Sequence, residues 1–243
     1  MQLDALAIDL RPRTMMEASD LGVRLVQSRS RDVWASFLPV FLVVLAVAVA
    51  TVEIAPWLPM TVLFCLKPWL DRSLLFVMSR AVFGESTRFA DLWREQRSVW
   101  WGQWLRTLTL RRMSPWRAFT QPADQLEGQR GANRRRRRRQ LLRGQKWSAL
   151  LMQAAFHQLE WIFLISLYVL GILLEPSGHR NFLDGWLKDD GIVSALTITA
   201  GYALVVLVVE PFYVAAGFAM YLNRRVELEG WDIEQEFRRA FAA

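Results

Sequence analysis

The chain has 243 residues, a formal net charge of +7 and 53% hydrophobic residues, and its apolar residues are gathered into long uncharged runs. A single cysteine, Cys65, excludes an intramolecular disulfide and a cysteine metal cluster, and two histidines, His157 and His179, leave little for metal chemistry. A soluble chain of this size has one core to fill and no use for several runs of bilayer length. The composition predicts an all-α integral membrane helical bundle, with about four membrane segments and amphipathic interfacial helices; no cofactor or metal is expected.

Residues 1–32 form a charged N-terminal segment with a short helical signal. Thr14 followed by Glu17 fits a capping box, and Ala18, Leu21 and Leu25 then share one face, which predicts an amphipathic helix at the membrane surface. No small-residue cleavage site follows the next apolar run, so that run reads as a retained anchor. Residues 33–83 form a first transmembrane hairpin. Val33 to Val52 carries no charge and matches a bilayer core of about 30 Å, bracketed by Trp34 and Trp57. The second segment, 57–83, is interrupted by Lys67, Pro68, Asp71 and Arg72. It is either a bent span or two half-helices forming a re-entrant loop, and Lys67 and Asp71, four apart, could pair on one helix.

Residues 84–146 are the basic section. Phe89, Leu92, Trp93, Gln96 and Trp100 lie on one helical stripe and Trp101, Trp104, Leu105 and Leu108 on another, which suits helices in the interface plane. The run Arg134, Arg135, Arg136, Arg137, Arg138 and Arg139 directly precedes an apolar span. It reads as a contact to anionic lipid headgroups; a nucleic-acid arm is disfavoured because no recognition fold accompanies it. Residues 147–223 form a second hairpin, with spans Trp147–Leu174 and Gly191 to about Leu222, the latter interrupted at Glu210–Pro211. Residues 224–243 are a mixed-charge tail.

Lysine and arginine set the orientation. Sections 1–32 and 224–243 hold five and four, and section 84–146 holds sixteen, whereas the connection 175–190 holds only Arg180 and Lys188. Both termini and the basic section are therefore expected in the cytoplasm, and segment 57–83 must return to that side.

The candidate intramembrane polar network is Lys67, Asp71, Arg72, His157, Glu160 and Glu210. A carboxylate at membrane depth must be neutral, paired or in contact with water. Glu160 lies mid-span one turn after His157, and a structural pair with Lys67 or Arg72 outweighs a proton relay or a metal site. Glu210 is the weaker signal, since the long last span could carry it to the headgroups. No nucleophile elbow, zinc-protease motif or phosphate-binding loop occurs.

Leu66-Lys-Pro-Trp-Leu-Asp-Arg72, Leu75-Phe-Val-Met-Ser-Arg-Ala-Val-Phe-Gly84 and Glu210-Pro-Phe-Tyr-Val-Ala-Ala216 resemble segments of uncharacterised multi-pass inner-membrane proteins of Gram-negative bacteria. The ending Tyr221-Leu-Asn-Arg-Arg-Val-Glu-Leu-Glu-Gly-Trp-Asp-Ile-Glu234 is also similar to the close of membrane domains associated with glycerophosphodiester phosphodiesterases. The first resemblance implies an inner-membrane location; the second implies no hydrolase, because the metal-binding barrel is absent. Together these readings favour a non-catalytic scaffold or accessory subunit with a membrane-protein partner, over a transporter or ion-conducting protein using Glu160 and His157, or a lipid-active membrane enzyme.

Overall fold

The computed structural model describes residues 13–101, 114–174 and 191–230. Among these every regular element is helical: α1 (Met15–Ser28), α2 (Ser30–Val49), α3 (Leu58–Ala81), α4 (Phe89–Arg94), a π-helical turn (Arg97–Trp101), α5 (Arg117–Gln125), α6 (Gly131–Leu142), α7 (Lys146–Leu173) and α8 (Ile192–Glu229). Three of them, α2, α7 and α8, are long and apolar enough to cross a membrane, which is compatible with a membrane protein. The second stripe of the basic section beyond Trp101, the connection 175–190 and the tail from 231 lie outside the described residues.

The central post is α8. Its 38 residues span about 57 Å at 1.5 Å each, nearly twice a bilayer core. From Val209 to Tyr221 it is buried almost all round, and α1, α2, α3, α5, α6 and α7 all pack on it. Small residues make that crowding possible. A Cβ on Gly22 of α1 would stand 2.3 Å from the Ala215 carbonyl oxygen, and one on Gly217 would stand 2.4 Å from the Ala118 Cβ of α5. Backbone therefore meets backbone at both crossings, and a single added methyl would force the helices apart. The helix ends at Gly230, whose φ of 63° suits a left-handed cap.

Thr14 caps α1 by accepting a hydrogen bond from the Glu17 amide. The stripe Met15, Ala18, Gly22, Leu25 and Val26 is taken up by α8 rather than left for a lipid surface. Asn223 fixes the entry to α1 through its amide group, which accepts from the Arg13 N–H at 3.0 Å and donates to the Arg13 carbonyl at 2.9 Å.

Helix α3 runs unbroken through Lys67–Pro68, so the segment is one helix and not two halves. Lys67, Asp71 and Arg72, the charges that lower its hydropathy, are all buried in the bundle. The tryptophans of the basic section divide. Trp100 is buried, donates its Nε1–H to Ser73 Oγ at 2.8 Å and stacks on Trp69, whereas Trp93 and Trp101 are exposed. The outlier among the long helices is α7: only 6% of its most apolar stretch is buried, against 39% for α2 and for α8.

Candidate functional site

Glu210 sits on the fully buried stretch of α8, with no exposed surface. A carboxylate there needs cations, and two elements supply them. Lys67 Nζ from α3 lies 2.8 Å from Glu210 Oε2, and the Arg117 guanidinium from α5 lies 3.2 Å from Glu210 Oε1. Each cation holds a second acid: Lys67 Nζ is 2.5 Å from Glu160 Oε1 of α7, and Arg117 Nε is 2.8 Å from Asp71 Oδ2 of α3. The result is one chain of charges, Glu160–Lys67–Glu210–Arg117–Asp71, that joins four helices.

Tyr213 supports it from one turn below Glu210. Its ring faces the Arg117 guanidinium at 5.4 Å, its hydroxyl donates to Gln153 of α7, and that same hydroxyl accepts from the Ala118 amide at 3.3 Å. The sequence-derived set is thus partly gathered and partly dispersed. Lys67, Asp71, Glu160 and Glu210 come together. Lys67 and Asp71 are not paired with each other, as their spacing suggested, but through the other members. Arg72 points elsewhere, to the carbonyls of Val99 and, at 2.8 Å, Ser98, where it holds the π-helical turn. Glu210, the weaker signal in the sequence, is the most buried member.

The cluster has three carboxyls and two cations, so with every group ionised it carries one excess negative charge. The Glu160 side chain is 14% exposed and opens on a cleft of about 280 Å³ between α3 and α7, lined also by Phe64, Gln153, Phe156 and His157. His157 Nε2 accepts from Trp161 Nε1 at 3.1 Å, which leaves Nδ1 as the nitrogen nearest Glu160, 4.0 Å from Oε2. Among the described residues no group of three or more His, Cys, Asp or Glu could hold a metal ion.

The arginine run forms a second site with two faces. Arg134 pairs with Asp124 at 3.8 Å, and Arg138 donates to Ser114 Oγ at 3.2 Å. Arg137 grips Glu127 with two nitrogens at 2.9–3.1 Å and also pairs with Glu229. Burial disfavours charge on Arg137, but its hydrogen bonds to Glu127 and Glu229 prevail and raise its pKa. Burial likewise pushes the Glu229 carboxyl up, yet hydrogen bonds from Arg225 and Arg137 hold it below the usual range. Arg135, Arg136 and Arg139 are exposed on the opposite face.

Sequence reasoning missed Arg117, Tyr213 and Gln153. Arg117 had a faint signal: it is the only basic residue between Arg112 and Arg130, set in the apolar stretch Trp116–Phe119. Tyr213 and Gln153 carry none, since both read as ordinary span residues.

The charge excess predicts an asymmetry. Removing an acid brings the cluster to balance, so Glu160→Leu should cost only a buried hydrogen bond, about 1–3 kcal/mol. Glu160→Gln, which keeps that bond, should cost less. Lys67→Met strands Glu160 beside Glu210 and should cost about 3–5 kcal/mol. Unfolding in detergent checks the order; Glu160→Leu costing as much as Lys67→Met would contradict it.

No protein family, curated protein or solved structure matches this chain.

Proposed function

We propose that the chain is a non-catalytic, multi-pass protein of a bacterial inner membrane that serves as a scaffold or accessory subunit of a membrane assembly. Four crossings are the reading best supported by charge and burial. Helix α3 falls short on hydropathy only because of Lys67, Asp71 and Arg72, and those side chains face the bundle rather than lipid. With α3 counted, the basic sections fall on one side, and both termini are cytoplasmic. Labelling in intact cells tests this: with Cys65 replaced, Arg180→Cys should react with an impermeant maleimide without permeabilisation, and reaction only after permeabilisation would reverse the orientation.

The observation that carries the scaffold reading is the bare surface of α7. A span in a four-helix bundle should share its faces between neighbours and lipid, yet α7 packs mainly along α8. Its outward surface carries Leu151, Trp161, Ile162, Ile165 and Val169, all exposed. A second membrane protein covering α7 would bury that surface. The charges inside the bundle meanwhile pair across four helices and hold them together.

A second reading, conduction of protons or small cations, draws on the cleft. It reaches Glu160, the most exposed member of the cluster, and an excess negative charge would favour a cation there. Gentle-detergent purification separates the two. The scaffold reading expects a membrane-protein partner at fixed stoichiometry that crosslinks to a photoreactive residue at Trp161. A chain that purifies alone, and whose proteoliposomes show a flux abolished by Glu160→Gln, would favour conduction.

A further inference from the structure

The six arginines of α6 are identical in chemistry but not in placement. At 3.6 residues per turn, Arg134, Arg137 and Arg138 fall on the same face as Leu141 and Leu142. That face is docked on the protein: Leu141 and Leu142 are buried, and each of the three arginines has a protein partner. Arg135, Arg136 and Arg139 fall on the opposite face. They are exposed and, with the first turn of α6, line one recess; among the described residues none of the three makes a hydrogen bond or an ion pair. Self-repulsion among three adjacent cations is unfavourable unless anions relieve it.

We infer that Arg135, Arg136 and Arg139 form a binding face for the phosphates of anionic phospholipids, while the other three arginines lock α6 to the bundle. The occupant follows from position, and this step rests on the reading of α7 as a span with its N-terminus in the cytoplasm. Helix α6 ends at Leu142 and α7 begins at Lys146. Three linking residues reach roughly 10 Å at most, and Arg135 lies about 10 Å further back along α6. Gly144, with φ of 78°, makes the turn between them, and Trp147, 75% exposed, opens α7 as an interfacial anchor does. The whole outward face is thus held within reach of the headgroups by its own chain. A soluble polyanion would have to compete with lipid already present there.

The two halves also differ in what they need. Arg137 grips Glu127 through a planar fork that lysine lacks. The outward three need only charge, since lipid phosphates rearrange around a cation.

The full-length protein, purified in a neutral detergent, is titrated with phosphatidylglycerol or phosphatidylcholine mixed micelles, and bound lipid is counted by native mass spectrometry. Phosphatidylglycerol should bind and phosphatidylcholine should not. The triple variant R135Q/R136Q/R139Q should melt as the wild type does yet bind phosphatidylglycerol more weakly, on the order of a hundredfold, at about fivefold per arginine. R135K/R136K/R139K should bind nearly as the wild type. R137K alone should lower the melting temperature without weakening lipid binding. Undiminished phosphatidylglycerol binding by the glutamine triple variant would overturn the inference. So would displacement of the lipid by inorganic phosphate or a single-stranded oligonucleotide at matched phosphate concentration. Either failure would leave the labelling of position 180 and the partner on α7 unchanged, so the scaffold reading fails or stands separately.

Discussion

An ionised carboxylate in the middle of a packed helix costs several kcal/mol unless cations are brought to it, and Glu210 on α8 is such a carboxylate. Lys67 reaches it from α3 and Arg117 reaches it from α5. Each also holds a second acid, Lys67 binding Glu160 and Arg117 binding Asp71. Much of the architecture can be seen as a consequence of satisfying this one group. Helix α3 keeps its polar side inward, α5 is drawn against the post, and small residues on α8 let α5 and α1 come close enough to stay. Glu160 completes the chain from α7 and borders the cleft between α3 and α7.

The long apolar runs were legible in the sequence because bilayer thickness imposes a length, and a length is visible in one dimension. The cap at Thr14 was legible because it is local. The cluster was only half legible. An acid mid-span announces itself by its cost, which pointed to Glu160, but its partners lie on other helices and leave no trace in spacing. Glu210 gave only a weak signal for a physical reason: α8 is much longer than a membrane crossing, so sequence position alone does not show that other helices converge on it. Arg117 gave only a faint signal, one basic residue within the apolar stretch Trp116–Phe119. The pairing of Lys67 with Asp71, natural by spacing, gave way to stronger partners available only after folding.

Helix geometry also divides what composition makes uniform. Six consecutive arginines read as one block of charge, and the 3.6-residue period turns the block into an inward half that packs and an outward half that faces solvent. The same logic separates Trp100, buried against Ser73 and Trp69, from the exposed Trp93 and Trp101 on neighbouring turns. Against this, α7 has apolar residues on nearly every face and little of its own chain to cover them. The bundle is well packed around α8 and open at α7.

The central claim is that Lys67 and Glu210 are coupled members of one charge chain, not separate buried residues. A double-mutant cycle on Lys67→Met and Glu210→Leu, measured by unfolding in detergent, tests it most directly. Losing Lys67 alone leaves Asp71, Glu160 and Glu210 facing Arg117 only, whereas losing Glu210 as well removes the stranded carboxylate. The double variant should therefore be more stable than Lys67→Met alone, with a coupling energy of about 1–3 kcal/mol. Additive costs, within about 0.5 kcal/mol, would show that the two groups do not depend on each other and would contradict the account.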